Sequence, residues 1–522
     1  MKRRDFLQGT GITGLVLFFS ADPAVAQERD RPDRPNARPG YPSDFNAYLR
    51  IAPDGRVTCL VGKVELGQGS MTALAMLLAE ELDVALEQVD MVMGDTDLCP
   101  WDMGTFGSLS IWQFGPVLRG AGAEARAVLL QLASEKMKVP VEQLEVKKGI
   151  VSKKGDAAVS VSYGELVAGK KIERHLEKVT PKPVSAFKLV GRDAARKDAR
   201  EKVTGKAVYA ADIKLPGLLH ARVLRAPVHG AVLESADTAA AEALAGVKVI
   251  HDKDLVAMLH ARPDGAAEAL SKVKAKWKNP VSDLDQHTIF EHLARTAPKA
   301  RSLDAKGDLA AGKEAGTEWL EAMYTNAYVA HAPIETHAAV ASWEGDKVTV
   351  WASTQAPFMV KSQVAEALGL PAAQVRIITP YVGGGFGGKS GGPQAVTAAQ
   401  LARLAGAPVL VQWDREEEFF HDSFRPAAVI MLRVSATREG KITSWDCNVV
   451  GAGDREAVTF YAIPNQRTLS AGSWQGGNPK DMHPSPWAPG GRPPPTATTS
   501  PTIATWTALR RSWGWIPWPS AC

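Results

Sequence analysis

From Asn46 to Leu66 polar and apolar residues alternate, NAYLRIAPDGRVTCLVGKVEL, and this period of two predicts paired strands with Asp54-Gly55 as the hairpin turn. The period then changes. In GQGSMTALAMLLAEELDV, Met71, Leu74, Ala75 and Leu78 recur at helical spacing, and Ser70 stands where an N-cap would. Met71 and Met76 read as packing side chains of that helix, not as ligands. A loop, GDTDLCPWDMGTFGSLS, leads to a second helix expected over 121–137, and residues 143–165 read as short strands and turns. Strand patterns with Gly and Pro turns fill LVGRDAARKDAREKVTGKAVYAADIKLPGLLHARVLRAP. Residues 170–188 and 285–315 are polar, weak in pattern, and read as linkers. From about 318 strands and helices alternate: DKVTVWASTQ is a strand with a polar end, APFMVKSQVAEALGL an amphipathic helix, AQVRIITPYV and APVLVQW two further strands. There is no tandem repeat. The fold class expected is α+β, a multidomain chain of mixed sheets with flanking helices.

Composition changes this picture little. The 522 residues are 45% hydrophobic and 23% charged, enough for several buried cores. The net charge is only +4 and the cations are dispersed, which argues against a nucleic-acid surface. Cys59, Cys99, Cys447 and Cys522 lie far apart with no C-x-x-C spacing. Zinc or iron–sulfur ligation within this chain is therefore not expected, while one disulfide stays open. The N-terminus reads as an address: KRRDFLQG, the apolar run ITGLVLFF, then Ala24-Val25-Ala26 as a small-x-small cleavage site. The run is too short to span a membrane, so 1–26 is expected to be a signal peptide and the mature chain to lack a span. Arg3-Arg4 with Phe6-Leu7 resembles a twin-arginine signal, which implies export of a folded protein to the periplasm. Residues 27–43, rich in Pro, Arg and Asp, read as a linker.

The candidate chemistry concentrates in YVGGGFGGKS, where five glycines occupy the six positions 383–388 between a strand pattern and a helix pattern. Gly383, Gly388, Lys389 and Ser390 satisfy a phosphate loop, G-x-x-x-x-G-K-S. Gly383, Gly385 and Gly388 satisfy the dinucleotide pattern G-x-G-x-x-G, with Asp414 placed as a ribose-binding acid. A third reading packs the loop's amides against another large cofactor, and a fourth is a plain flexible turn. The loop alone does not choose among them. H-x3-E-x-H at His331, Glu335 and His337 would share one strand face, but it is kept as support for a nearby site and not as a ligand set. Arg415, Glu416, Glu417 and Glu418 read as a solvated face.

The order of motifs narrows the choice. Gly67-Gln68-Gly69 stands at a strand–helix junction, Gly107-Ser108-Leu109-Ser110 closes a loop, HAPIET precedes a strand, Ser353-Thr354-Gln355 ends the next, and the glycine loop follows. Together these resemble the molybdenum-binding large subunit of the xanthine dehydrogenase and aldehyde oxidase family. GRDAARKDAREKVTGKAVYAADIKLPGLLHARVLRAP looks like that family's α/β hammerhead domain. The Gly-Gln-Gly segment precedes the hammerhead, an order similar to the branch typified by the isoquinoline 1-oxidoreductase β-subunit. The resemblance divides the chain at 44–175 (first part of the molybdopterin-binding domain), 186–280 (hammerhead-like) and 315–480 (molybdopterin-binding). It implies a molybdopterin cofactor, in the cytosine dinucleotide form usual in bacterial relatives, held by Gly67, Gln68, Gly69, Gly107, Ser108, Ser110, Gln355, Gly384, Gly385, Phe386 and Gly387. Gln355 and Phe386 would lie nearest the molybdenum, with no direct protein ligand to the metal. The chemistry of these residues agrees: glycines let amides face a diphosphate and pterin, and glutamines donate and accept at once. The implied reaction is water-derived hydroxylation of an N-heteroaromatic or aldehyde carbon. The implied partners are a small subunit carrying [2Fe–2S] clusters and a cytochrome c acceptor.

The pattern breaks near the end. From Met482 to Cys522 there is no Asp, Glu or Lys, and the last 50 residues hold 10 of 34 prolines and 6 of 14 tryptophans. SPWAPGG looks like a scrambled echo of the family's G-P-W-R-A-P-G. A frameshift near residue 484 is the expectation, with 481–522 an aberrant tail; a low-complexity tail is the alternative. The family's general base, a glutamate near the C-terminus of a full-length subunit, would then lie beyond this chain, leaving an inactive remnant as the alternative to an enzyme. Ser390 stands where purine-oxidising members place an acid, so a purine substrate is not expected.

Overall fold

The computed structural model describes residues 40–168, 171–282, 284–451, 457–473 and 482. The export signal expected at 1–26, the linker up to residue 39 and the tail beyond 482 lie outside the described residues.

The N-terminal strands form as expected. Leu49–Ile51 and Val57–Val61 pair antiparallel across a turn where Gly55, at φ 83°, donates its N–H to Ala52 O at 2.9 Å. The chain then crosses over through the helix Ser70–Leu82 and returns as Val89–Met93, parallel to Val57–Val61. A second helix, Phe114–Met137, packs on the first, and a Cβ on Gly122 would come within 2.9 Å of Glu81 Cβ, so only glycine permits this approach. It begins seven residues before the expected start at 121. Pro116 hid that start, yet it lies in the first turn, where a helix needs no N–H from it. Leu144–Lys147, Ile150–Lys153 and Asp156–Ser162 form the short antiparallel sheet read from 143–165.

The central sheet has seven strands, in the order Val375–Ile378, Lys347–Ala352, Ala338–Glu344, Val409–Gln412, Leu219–Val223, Leu255–His260 and Lys248–Asp252. Helices Pro357–Leu368 and Pro393–Ala405 cover it, and Val350, Val360, Ile377, Ala398 and Val411 are buried between the layers. Its last three strands come from the hammerhead-like stretch. Leu219–Val223 pairs parallel with Val409–Gln412, so the units drawn at 186–280 and 315–480 share one sheet.

A five-stranded sheet runs Arg301–Lys306, Asn465–Ala471, Ile442–Gly451, Ala428–Ala436 and Glu318–Asn326. The stretch 285–315, expected as a linker, instead supplies helix Ile289–Thr296, the edge strand Arg301–Lys306 and helix Leu309–Glu314. Ile289 and Leu293 are buried against Val429 and Val450. The edge strand RSLDAK carries Leu303 as its one core-packed side chain and buries no residue fully, so the alternation that marks a half-buried strand was absent.

Candidate functional site

Three glycine segments meet at one end of the central sheet, each held by a buried side chain. The strand Lys347–Ala352 runs out into Ser353, Thr354 and Gln355, all buried. Gln355 joins two loops. Its backbone N–H donates to Lys389 O at 2.7 Å and its C=O accepts from Thr105 N at 2.8 Å. Its side-chain Nε2 donates to Thr105 O at 3.0 Å, while Oε1 accepts from Gly387 N at 2.8 Å. A Cβ on Gly385 would stand 2.6 Å from Gln355 Oε1, so a side chain there would have to displace Gln355 or the loop.

The glycine loop follows the strand Val375–Ile378. Glu335 Oε2 accepts from Gly383 N and from Lys389 Nζ, each at 2.8 Å, and Glu335 N donates to Gly383 O at 3.1 Å. Lys389 is fully buried; desolvation pushes its pKa down, and the Glu335 charge opposes this. Between these anchors the backbone turns left-handed at Gly384, Phe386 and Gly387, with φ of 95°, 54° and 116°. No acceptor for the N–H groups of Gly384, Gly385 and Phe386 lies among the described residues. Gly384 and Gly385 are buried, and the Phe386 ring projects outward, 55% exposed. A left-handed non-glycine residue is uncommon and stores strain, which its surroundings must impose.

At the Gly-Gln-Gly segment the amides have taken a partner from the chain itself. Glu65 Oε1 accepts from Gly67 N at 2.8 Å and Gly69 N at 3.0 Å, and Oε2 accepts from Met71 N at 2.8 Å. Gly69, at φ 88°, is the N-cap of helix Ser70–Leu82, with the Glu65 carboxylate satisfying its first amides. Ser70, expected as the cap, is the first helical residue, and its hydroxyl donates to Val64 O at 3.0 Å. Gln68 folds back, accepting from Leu66 N at 2.6 Å and donating to Val64 O at 3.2 Å.

The third segment, 102–110, rests on a buried ion pair. Lys63 Nζ lies 2.9 Å from Asp102 Oδ1 and donates to Gly104 O at 2.7 Å. Gly107 and Ser108 are left-handed at φ 62° and 59°; Ser108 is exposed and Ser110 half-buried. Val382 N donates to Glu65 O at 3.1 Å, so the glycine loop and the Gly-Gln-Gly segment are in contact. A strap from the hammerhead-like stretch crosses both: Arg196 reaches Glu65 at 3.3 Å and Asp198 at 2.7 Å, and Tyr381 Oη donates to Glu201 at 2.8 Å. The structure thus assembles all three predicted segments. Glu65, Lys63 and Asp102 were missed, because an isolated charge beside a loop reads as solvated; Glu335, kept only as support for a nearby site, proves to hold the loop itself.

Other expectations change. His331, Glu335 and His337 do not share a strand face: they lie before the strand Ala338–Glu344 and take separate partners. His331 Nδ1 is 3.0 Å from Asp422, Glu335 holds Lys389, and His337 Nδ1 is 3.0 Å from Glu418. The run 415–418 is not uniformly solvated, since Glu418 is buried on His337 and Glu417 binds Arg222 and Arg225. The helix Arg415–His421 is tied to the central-sheet strand Leu219–Val223 through Arg222, and the carboxylate turned inward is retained by its partner. The local geometry also disfavours a nucleotide loop. Asp414 caps helix Arg415–His421 and pairs with Arg222, while Lys389, which a phosphate loop would direct at phosphates, is buried on Glu335.

The site is therefore a run of backbone amides on the glycine loop, buttressed by the Gln355 side chain and suited to a large polar cofactor. Two family models described as molybdopterin cofactor-binding domains match residues 9–214 and 293–460. The chain is 30% identical to the β-subunit of isoquinoline 1-oxidoreductase from Brevundimonas diminuta, over 91% of this chain and 67% of that protein. It is also 30% identical to a nicotinate dehydrogenase subunit of Pseudomonas putida, over 76% of this chain and 34% of that protein. The chain thus spans between a third and two thirds of these two relatives' length. In fold it is similar to quinoline 2-oxidoreductase from Pseudomonas putida, with TM-score 0.52 and 19% identity over 62% of this chain and 48% of that one. It is likewise similar to the aldehyde oxidoreductase from Desulfovibrio desulfuricans, with TM-score 0.53 and 17% identity over 90% and 53%. The chain belongs to the family of molybdenum-binding subunits of the xanthine dehydrogenase and aldehyde oxidase type.

The residues present fit that cofactor. Three successive N–H donors at 384–386, without acceptors among the described residues, suit anionic or carbonyl oxygens, and the left-handed turns aim a run of amides as an anion-binding nest does.

Proposed function

We propose that this chain contributes a molybdopterin-holding wall to a periplasmic molybdenum hydroxylase acting on an N-heteroaromatic or aldehyde carbon, with oxygen drawn from water. The observation that carries this is the set of free amides at Gly384, Gly385 and Phe386, held over the buried Gln355 amide. The cofactor, when bound, supplies two-electron redox chemistry. The chain's own part is positioning. The amides of 384–386 donate to the cofactor's oxygens, Gln355 fixes the loop's height, and the exposed Phe386 ring presents a flat apolar face to a planar substrate. The names of the two relatives described above favour an N-heteroaromatic ring. Electrons leave to a separate [2Fe–2S] subunit and then to a cytochrome c, and the cofactor is the cytosine dinucleotide. Among the described residues Cys59, Cys99 and Cys447 are buried and no group of metal-ligating side chains gathers, which supports placing the clusters on a partner.

The test is co-expression with a [2Fe–2S] subunit in a host that makes the cofactor. Cytidine monophosphate should be released on acid hydrolysis, and 18O from labelled water should enter isoquinoline, nicotinate or an aromatic aldehyde. Bound adenine nucleotide with no pterin would reject the function.

A further inference from the structure

Among the described residues, Glu335 touches both ends of the glycine loop. A single oxygen, Oε2, takes Gly383 N at the entry and Lys389 Nζ at the exit, at 2.8 Å each. The backbone N–H of Glu335 closes a third bond, to Gly383 O at 3.1 Å. The other oxygen, Oε1, is buried and has no hydrogen-bond partner, which is costly and marks a carboxylate kept for its geometry. A Cβ on Gly383 would meet Glu335 Cβ at 2.5 Å, so the two backbones are in van der Waals contact. Lys389 is fully buried with Glu335 as its ion-pair partner, and a buried ammonium is retained only when paired. Between the two pinned ends stand the residues with free amides and the strained φ of Phe386.

We propose that Glu335 and Lys389 are a positioning pair: by clamping positions 383 and 389 they hold the amides of 384–386 in donor geometry and so set how tightly the cofactor is retained, an inference resting on the cofactor function proposed above. Neither residue is placed in contact with the cofactor. The pair acts through the loop, as a supporting shell acts on the groups it orients.

The experiment compares the 522-residue chain with Glu335→Gln, Lys389→Met and the double variant. Two readouts are taken: molybdenum per chain after expression in a cofactor-producing host, and amide hydrogen exchange of the peptide spanning 381–390. Each single variant leaves a buried charge or dipole unmatched and is expected to lower the melting temperature. The double variant removes both charges, so its melting temperature returns toward that of the wild type. Its loop lacks the side-chain tie between positions 335 and 389: exchange at 383–389 rises, and molybdenum per chain falls about tenfold or more, the scale of losing charge-assisted hydrogen bonds. A double variant with wild-type exchange and wild-type molybdenum overturns the pair's role. If the wild type carries no molybdenum, the cofactor function fails, while the exchange comparison still decides whether the pair clamps the loop.

Discussion

At the scale of single residues, the site is organised by carboxylates and one amide that spend their hydrogen bonds on the protein's own glycines. Gly385 shows the consequence. Its missing Cβ leaves room for Gln355 Oε1, which a methyl group would approach to 2.6 Å. Gly385→Ala must therefore shift Gln355 or the loop. It is expected to reduce cofactor retention with only a few degrees' loss in melting temperature, checked by molybdenum content beside thermal unfolding. Glu418 makes a second case: it is buried, bonded to His337 through ring and backbone, and the ring packs at 4.5 Å on Trp413. Glu418→Ala orphans two buried donors and should cost about 3 kcal/mol, read by urea denaturation. Such residues were hard to read in the sequence. Glycines declare themselves, because left-handed φ and close approach need them. An acid such as Glu65 looks the same whether it faces water or folds onto a loop.

At the scale of elements, the helix Ser70–Leu82 is capped from outside its own first turn. Glu65 satisfies the amides of Gly67, Gly69 and Met71 and adds negative charge at the positive end of the helix. Glu65→Ala is expected to cost about 1–2 kcal/mol as a lost cap. Hydrogen exchange should rise first at 67–73, since the damage starts at the helix N-terminus; uniform protection there would contradict the capping role. The elements with strong periods, 49–61, 70–82 and 347–378, were legible because burial on one face writes the period into the sequence. The edge strand Arg301–Lys306 was not, for it buries neither face fully and draws its order from pairing with Asn465–Ala471.

At the scale of the whole molecule, the strap joining the hammerhead-like stretch to the glycine segments carries an acid-sensitive lock. The Arg196 hydrogen bond, aided by Lys202, pulls Asp198 from 3.8 down to about 2. The unfolded chain takes up that proton first. The stabilisation is complete above about 3.8 and drains as pH falls toward 2. Burial, with Arg225 and His229 nearby, lowers His421 from 6.5 to about 4, so its contribution is lost earlier, as pH falls from 6.5 to 4. Asp198→Asn should flatten the lower limb of a stability–pH profile and leave the upper limb in place. The shared seven-stranded sheet could not be read from local pattern, because the pairing of Leu219–Val223 with Val409–Gln412 joins residues far apart in sequence.

The central claim is that the free amides of 384–386 hold a molybdenum cofactor. Its most direct test is the molybdenum-to-protein ratio of the purified chain, set beside that of Gly385→Ala from the same cofactor-producing host. The account predicts a ratio approaching one for the wild type and a clear fall for the variant. A wild-type ratio at background, or equal ratios in both proteins, would contradict it.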